Sequence, residues 1–442
     1  MVELTDVTAA IAASGERTPG LTRERLRMAA VCMVGLALGA SILPFCAVGA
    51  ALGPMMLEFG WSATQVSLAY ALLMWAAAIS IWPVGVLIDR FGPRLVVTLG
   101  AAAMAAVSLM LPSVRHFWQF AALAGLLGAC GSSGLGYTRI VAALFGARRG
   151  LFMGVFAAES FILSLVMPMA MSRLVFEGGW RGAFMVIGLA IAALAPLLYL
   201  GLADARAGTS WSARWSLAAS PSPEGQAAGE VVRDRAFWTM VAAGLATAAI
   251  GGGALASFGA GMIAKGFGHS AVSDAAAPIT LIATVAGAIC SGLVLDRTRS
   301  PKVAAATYLA TALAYATWAV VTPSFGGAPV LTASRALGAF AYAAQIPLVG
   351  YVFSRYFGMR AFATVCGLQV FIQAVFVGLA APAIGRSVGL SGHYDLVLMA
   401  GIGAEVLAAL LYLSLPAYRY AAVGDGDEPV PRAAAPAHVR MR

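Results

Sequence analysis

Long apolar runs constrain this chain more than any other feature of its sequence. About twelve runs are long enough for an α-helix to cross a bilayer, which takes roughly 20 residues. Only 11% of the 442 residues are charged and 61% are hydrophobic, so too few charges are present to cover a water-soluble surface. The sequence therefore predicts an all-α membrane protein with twelve transmembrane helices. Numbered 1 to 12 in chain order, the predicted spans lie near residues 28–55, 64–84, 95–113, 117–144, 151–172, 183–203, 237–263, 275–295, 303–322, 329–354, 362–385 and 396–416.

A phrase that closes one span in each half indicates an internal duplication. Gly-x-x-x-Asp-Arg begins at Gly85 after span 2 and again at Gly292 after span 8, about half a chain length apart. Two shorter phrases recur at nearly the same offset, starting at Phe59 and Phe267 and at Phe145 and Phe357. Six spans in each half give both halves the same orientation, related by an axis along the membrane normal, as in many secondary transporters.

Polar segments set the expected domain boundaries. Residues 204–236 shift to Ser, Pro, Gly and charged side chains, which is typical of a linker, and the last residues have too little apolar character to order themselves. The expected organisation has five parts: an N-terminal segment 1–27, a six-helix bundle 28–203, the linker 204–236, a six-helix bundle 237–416 and a tail 417–442.

The distribution of basic residues predicts the orientation in the membrane. Cytoplasmic loops carry an excess of Lys and Arg, and the basic N-terminal segment adds to the bias of the loops on its side. We therefore expect a multi-pass membrane protein with both termini in the cytoplasm. The absence of Asn and the bias toward Ala and Arg favour a bacterial protein, and hence an inner membrane. The cytoplasmic set is Arg90, Arg94, Arg148, Arg149, Arg297, Arg299, Lys302, Arg355 and Arg360; the opposite set is Arg115, Arg173, Arg181, Lys265, Arg335 and Arg386.

The loop after span 2 carries a longer signature, Gly-x-x-x-Asp-Arg-x-Gly-x-Arg, at Gly85, Asp89, Arg90, Gly92 and Arg94. At this place in a twelve-span pattern it resembles the major facilitator superfamily, and the resemblance covers about residues 28–420. It implies two pseudo-symmetric six-helix bundles around one central cavity that opens alternately to either side. The second copy keeps Gly292, Asp296 and Arg297 but has Arg299 where the first has Gly92, so we expect a weaker contact there.

The two Asp-Arg phrases have an expected role in gating. An Asp at a helix end can face the positive N-terminus of a neighbouring helix, while Arg90 and Arg94 can pair with acids or lipid phosphates. Such contacts would hold the two halves together when the cytoplasmic side is closed. The alternative is a basic turn that only sets the orientation of the chain.

Other short phrases point to one branch within this superfamily. Those beginning at Phe59, Phe145 and Gly179 are similar to the monocarboxylate and oxalate/formate carriers, which implies an organic anion as substrate. Such carriers often have a cation in span 8 and can have a Lys in span 11. Ala288 occupies the first position here, and span 11 offers only Gln369 and Gln373, so an oxalate-like dianion is disfavoured.

Three charges fall inside predicted spans and are candidates for function because an ionised side chain at the bilayer centre is costly. Arg139 lies ten residues before Arg149 and Glu159 ten after it, on antiparallel spans 4 and 5. We expect the two to pair at matching depth, with Arg139 able to hold a substrate carboxylate and Glu159 a proton; the alternative is a fixed structural ion pair. For Glu405 in span 12 we expect a structural hydrogen bond or a protonated acid.

The function expected from these features is proton-coupled secondary active transport of a small organic anion such as a monocarboxylate. The alternatives are efflux of amphipathic or drug-like compounds and a membrane sensor that does not translocate its ligand. We expect a monomer in a lipid bilayer that is not an enzyme, with no nucleic-acid partner, no cofactor and no metal site. Uncharged candidates for substrate contact are Phe45, Tyr137, Tyr342, Gln345, Gln369 and Gln373.

Overall fold

The structure is a computed structural model, and it is almost entirely α-helical. It describes residues 23–39, 42–145, 148–202, 225–248, 258–268, 272, 277–298, 300–391 and 394–420. Most of the predicted linker and tail, and Arg299 of the second Asp-Arg phrase, lie outside these residues.

Each predicted span corresponds to a helix or a pair of helices. Nine helices of the described part are long and apolar enough to cross a membrane, and one of them contains both span 5 and span 6. In chain order the helices are Arg23–Gly39 and Ile42–Phe59 (span 1), Ala63–Phe91 (span 2), Pro93–Met110 (span 3), Phe117–Gly131 and Leu135–Leu144 (span 4), Arg149–Gly201 (spans 5 and 6), Arg235–Ala246 and Phe258–Ala264 (span 7), Ala277–Arg297 (span 8), Ala304–Val320 (span 9), Gly327–Phe357 (span 10), Phe362–Ser391 (span 11) and Asp395–Leu413 (span 12). A short helix, Ala228–Arg233, precedes span 7.

Glycine and proline produce two of the tight connections. Gly92 ends span 2 with a φ of 90°, a backbone conformation that residues with a Cβ rarely adopt. Pro93 begins span 3, where its missing N–H costs no helix hydrogen bond. Gly179 has a φ of 69° and breaks the 53-residue helix between span 5 and span 6. The helix directions therefore reverse within very few residues.

The twelve spans form two bundles of six. Spans 2 and 4 pack together in the first half, and spans 9 and 12, and spans 8 and 10, in the second. The halves meet mainly where span 2 packs on span 11 and where span 5 packs on span 8. The ends of these four spans near the linker define the linker side of the molecule, where Gln226 N–H donates to Phe357 O at 2.9 Å.

Candidate functional site

Asp89, at the linker-side end of span 2, bonds to the first turn of span 11 in the other half. Its carboxylate accepts from the Thr364 N–H at 2.6 Å, the Thr364 hydroxyl at 2.7 Å and the Ala363 N–H at 3.3 Å. A carboxylate is stabilised at a helix N-terminus because the first N–H groups have no partner within the helix and carry a partial positive charge. This set of bonds is named the Asp89 contact.

Arg139 of span 4 belongs to the same contact, and the expected pairing with Glu159 is wrong. The Arg139 Nη1 atom lies 2.5 Å from Asp89 Oδ1, and both side chains are nearly buried. The guanidinium also donates to Ile88 O at 2.9 Å and to Met359 O at 3.5 Å. Arg139 is therefore held where the two halves meet.

Arg139 and Glu159 lie at different depths, because the span 4 helix ends before Arg149. Span 4 stops at Leu144, so Arg139 is only five residues, or about 7.5 Å, from the end of its helix. Glu159 lies ten residues after the start of its helix at Arg149, about 15 Å deep. The long Arg139 side chain then reaches Asp89 instead of the middle of span 5.

Asp296, at the end of span 8, makes the corresponding bonds to span 5. Its two carboxylate oxygens accept from the Gly150 N–H at 2.7 Å and the Leu151 N–H at 2.8 Å. Arg149 and Arg355 lie within electrostatic range of this carboxylate, and no ion pair of the described residues includes it. This set is named the Asp296 contact.

The glycine of each phrase lets the backbones of the two halves touch. A Cβ added at Gly85 would lie 2.4 Å from Ala363 O, and one added at Gly292 would lie 2.2 Å from Gly150 O. Both distances are far below van der Waals contact, so only glycine fits without a shift. Ala288 also faces the other half at Gly154, where a Cβ would lie 2.4 Å from Ala288 O, so this position is a packing site in the present arrangement.

The remaining charged residues of the two phrases contact their own half or face outward. Arg94 donates from Nε to Tyr199 O at 2.8 Å, and its guanidinium lies 4.0 Å from the Tyr199 ring. Arg90 and Arg297 are exposed at their helix ends. Gly92 is buried as the turn residue between spans 2 and 3.

Glu159 lies half-buried in span 5, beyond the glycine contacts. Its Oε2 atom is buried and has no hydrogen-bond partner among the described residues, and no ion pair found there includes it. Cys32 of span 1 lies within electrostatic range of Glu159, and Tyr137 of span 4 within range of Cys32. The Tyr137 hydroxyl is also buried without a described partner and packs on Gly35. Spans 1, 4 and 5 therefore bring together polar atoms whose bonding capacity is unused.

The glutamines of span 11 pack on span 7. A Cβ at Gly244 would lie 2.1 Å from the Gln373 amide nitrogen and 3.1 Å from that of Gln369. Gln369 is 1% exposed, and neither its oxygen nor its nitrogen has a hydrogen-bond partner among the described residues. Phe45, by contrast, is half-buried against the largest apolar cluster, which includes residues of both halves.

Gln345 and Tyr342 of span 10 group with Glu405 inside the second bundle. Gln345 Nε2 lies 3.0 Å from Thr311 Oγ1 and 3.3 Å from Glu405 Oε2. Gln345 therefore faces the interior of its own half, and Tyr342 lies within electrostatic range of Glu405.

Sequence reasoning missed Arg335 by assigning it to a loop. It lies eight residues inside span 10, about 12 Å from the helix start at Gly327, and is half-buried. Its guanidinium lies 5.0 Å from the Phe258 ring of span 7 and donates to Val272 O. No ion pair of the described residues includes Arg335. Its place within the apolar run 329–354 was the signal that could have identified it. A search for metal sites among the described residues finds no group of three or more His, Cys, Asp or Glu side chains that could hold a metal ion.

Three curated relatives match parts of the chain. An uncharacterised MFS-type transporter, YcxA of Bacillus subtilis, is 30% identical over 34% of this chain and 38% of its own length. A probable L-galactonate transporter of Escherichia coli is 31% identical over 30% of each chain. A fujikurins efflux protein of Gibberella fujikuroi is 29% identical over 25% of each chain. The matched stretches thus span less than two fifths of each relative.

Solved structures extend the likeness to most of the fold. The transporter FucP in an outward conformation superposes with a TM-score of 0.66 at 13% identity, over 88% of this chain and 99% of that one. The proton:xylose symporter XylE gives a TM-score of 0.68 at 14% identity, over 89% of this chain and 96% of that one. The sequence profile of the Major Facilitator Superfamily matches residues 29–382. The chain therefore belongs to the Major Facilitator Superfamily, and its fold is that of a multi-pass membrane transporter.

Proposed function

We propose that this protein moves a small organic anion together with a proton by alternating access. The observation that carries the proposal is Arg335, a half-buried guanidinium within a membrane span that no described acid neutralises. A cation within a membrane span is energetically costly, so such a residue usually has a function. An anionic substrate would supply the missing partner.

Arg335 is suited to a carboxylate. A guanidinium is planar and presents two parallel N–H donors to a carboxylate, and Phe258, 5.0 Å away, packs against it from span 7. One donor is used by Val272 O, and other N–H groups remain for a ligand. Arg335 thereby takes the role first expected of Arg139.

Glu159 is the proposed proton site. Its buried Oε2 lacks a hydrogen-bond donor among the described residues, so binding a proton would relieve the cost of an unpaired charge. An anion bound by the second half and a proton bound at Glu159 of the first would then cross the membrane together. Tyr137, Phe45, Gln369 and Gln373 are the polar and aromatic side chains proposed to complete the site.

Named activities of related proteins support the same class of function. L-galactonate, in the name of the E. coli relative, is a sugar carboxylate, and XylE is a proton symporter. The short phrases similar to monocarboxylate and oxalate/formate carriers agree with a carboxylate substrate.

We assign the linker side to the cytoplasm of a bacterial inner membrane, with both termini there and the protein a monomer. In this arrangement the Asp89 and Asp296 contacts hold the cytoplasmic side closed. Opening would require both carboxylates to leave the helix N-termini of the opposite half. Alternating access then amounts to making and breaking these two contacts.

Uptake into proteoliposomes tests the proposal, with radiolabelled lactate and L-galactonate as probes and an inward proton gradient. Arg335→Gln should lower the apparent affinity roughly 10- to 100-fold, because hydrogen bonds to charged groups contribute about 1.5–3 kcal/mol. Arg335→Lys, which keeps the positive charge, should retain part of the wild-type affinity. Arg115→Gln, an exposed arginine on the side opposite the linker, is the matched control. Unchanged affinity in Arg335→Gln would reject the anion site.

Efflux of amphipathic compounds is the second candidate, favoured by the fujikurins efflux relative and by the engagement of Arg139 away from the span centres. Under that reading, hydrophobic cations should compete for transport and small carboxylates should not. A competition assay with both probe classes separates the two functions.

A further inference from the structure

Glu405 of span 12 is buried inside the second six-helix bundle, and only one of its two carboxylate oxygens has a hydrogen-bond partner among the described residues. The residue is 1% exposed, and its Oε2 accepts from Gln345 Nε2 at 3.3 Å. The same amide nitrogen donates to Thr311 Oγ1 at 3.0 Å. Glu405 Oε1 is buried and has no hydrogen-bond partner in the described part of the chain.

The groups around Glu405 supply no positive charge. Tyr308 and Tyr315 of span 9 and Tyr342 of span 10 lie within electrostatic range, and Tyr308 stacks on Tyr412 at 5.1 Å. No ion pair found in the described ranges includes Glu405. Among the cations on the neighbouring elements, Arg235 at the start of span 7, Lys302 before span 9 and Arg386 of span 11 are exposed. Lys265 pairs with Asp395 at the start of span 12. Arg335 and Arg355 of span 10 each lie ten residues, about 15 Å, along the helix from Gln345.

An ionised carboxylate without a positive partner is strongly disfavoured in this setting, so a ligand that neutralises its charge would be stabilised there. A proton does this without enlarging the site. The neutral acid keeps the acceptor for Gln345 and removes the uncompensated charge. A protonated Glu405 therefore fits the cluster as the structure describes it.

Span 10 connects this group to the contact between the halves. Gln345 lies two residues before Pro347, which has no N–H to donate, so the helix is weakened there and can bend. Three residues further, Gly350 meets span 5 of the first half, where a Cβ would lie 2.4 Å from the Met153 methyl group. A change in the bond between Gln345 and Glu405 thus acts about one and a half helical turns from the other half.

We infer that Glu405 binds a second coupling proton, and that Gln345 transmits its protonation through span 10 to the contact with span 5. The inference rests on the proposed proton-coupled function. The protonated acid fits the arrangement described here, in which the linker side is closed. Release of the proton would charge Glu405 and favour a different position of span 10.

Accumulation in proteoliposomes at zero membrane potential tests the number of protons. With a gradient of one pH unit, one coupled proton supports about tenfold accumulation of a monoanion and two support about 100-fold, since one unit equals 1.36 kcal/mol per proton. Wild type should approach the higher limit for L-galactonate, and Glu405→Gln the lower one, with its counterflow exchange unchanged. Glu177→Gln, an exposed acid in a local pair with Arg173, is the control and should behave as wild type. Accumulation by Glu405→Gln equal to wild type would overturn the inference.

Infrared titration of the purified protein separates failure of this inference from failure of the proposed function, because its only ligand is the proton. A carboxylic-acid carbonyl band that titrates with pH should vanish in Glu405→Gln and persist in Glu159→Gln. If no probe accumulates in wild type but this band is present, the substrate proposal fails and Glu405 still binds a proton. If Glu405→Gln does not fold, Gln345→Met should shift the midpoint of the band; an unchanged midpoint would reject the link to span 10.

Discussion

The Asp89 contact and the Asp296 contact differ in how their carboxylates are neutralised. Both bond to two N–H groups at the start of a helix in the opposite half. Asp89 adds the Thr364 hydroxyl and a direct ion pair with Arg139, whereas Asp296 has Arg149 and Arg355 only within electrostatic range. The helix N-terminus is thus the shared element, and the direct arginine partner is particular to one copy.

The arginines also occupy different places on equivalent spans. Tyr351 corresponds to Arg139 in the duplication, and Arg355 lies one helical turn further toward the linker side. The Arg355 guanidinium lies 5.1 Å from the Tyr418 ring, and its Nε and Nη1 atoms have no hydrogen-bond partner among the described residues. The second half therefore keeps its cation buried near Asp296 without bonding to it, which agrees with a weaker contact in that copy.

Loss of the Asp89 carboxylate should have the largest effect, because it leaves Arg139 buried without this partner. Breaking a buried ion pair from one side costs about 3–5 kcal/mol. Asp89→Ala should therefore open the linker side and speed labelling of Cys366 by at least about 100-fold. Cys366 is 6% exposed on span 11 and lies within electrostatic range of Asp89, so a variant with Cys366 as the only cysteine reports on this contact.

The double variant Asp89→Ala, Arg139→Met is the control for that prediction. It removes both charges of this ion pair and should label more slowly than Asp89→Ala, because Arg139 is no longer left buried without its carboxylate. Equal labelling rates in the single and double variants would show that the ion pair does not distinguish the two contacts.

Substitution of the paired glycines should have the next largest effect and should be similar in the two copies. Gly85→Ala and Gly292→Ala each place a methyl group 2.4 Å or less from a backbone oxygen of the other half. Overpacking of this kind costs about 1–3 kcal/mol. The midpoint of thermal unfolding in detergent should fall in both variants. Gly403→Ala, whose Cβ would meet no atom within 4 Å, should leave the midpoint unchanged or raise it. A drop in only one of the paired variants would mean that the glycines, too, differ between copies.

The apolar runs predicted the twelve spans, and the signature in the loop after span 2 predicted the family. A local break in span 4 escaped them, because the turn at Ser132–Gly134 does not interrupt the apolar run. The Asp-Arg phrases also located the residues that join the halves. Their spacing could not identify the helix that each carboxylate faces, since that depends on packing between distant segments.

The expected Arg139 and Glu159 pair shows the limit of counting along the chain. Depth in a membrane depends on where a helix ends, and the end of span 4 at Leu144 was not visible in the apolar pattern. Arg335 was misplaced for the related reason that its helix extends eight residues before it. Buried partners such as Gln345 and Glu405, 60 positions apart, required the folded arrangement.

Loss of the Asp296 carboxylate should cost less than loss of Asp89. Replacing a side chain that caps a helix N-terminus costs about 0.5–2 kcal/mol, and Asp296→Ala leaves no direct ion-pair partner behind among the described residues. Labelling of Cys366 should accelerate by roughly 2- to 30-fold. Asp296→Ser, whose hydroxyl can still accept from a helix N–H, should recover part of the slow rate. Acceleration equal to that of Asp89→Ala would end the distinction between the two contacts.

The second half has a brace formed by the linker and the tail. Arg355 O accepts from the N–H groups of Arg419 at 3.2 Å and Tyr420 at 3.0 Å, and Arg419 pairs with Asp234, the N-cap residue of span 7. These bonds fix the chain around the end of span 10, next to the Asp296 contact. The brace supports the Asp296 contact from outside the membrane spans.

The brace should make the smallest contribution, and its pH dependence follows from Asp234. Burial raises the pKa of this carboxyl group, but hydrogen bonds from Arg419 and the Ala236 N–H outweigh it, so the pKa in the folded protein is lowered. A lowered pKa adds stability that is complete above the unfolded value of about 3.9 and is lost as the pH falls through the folded value. Because the pair is partly exposed, Asp234→Asn should cost at most about 1 kcal/mol near neutral pH. The thermal midpoints of wild type and variant should converge in acid and at 1 M salt, where the ion pair is screened. A difference that persists under both conditions would mean that the brace acts through packing of Tyr418 and not through this ion pair.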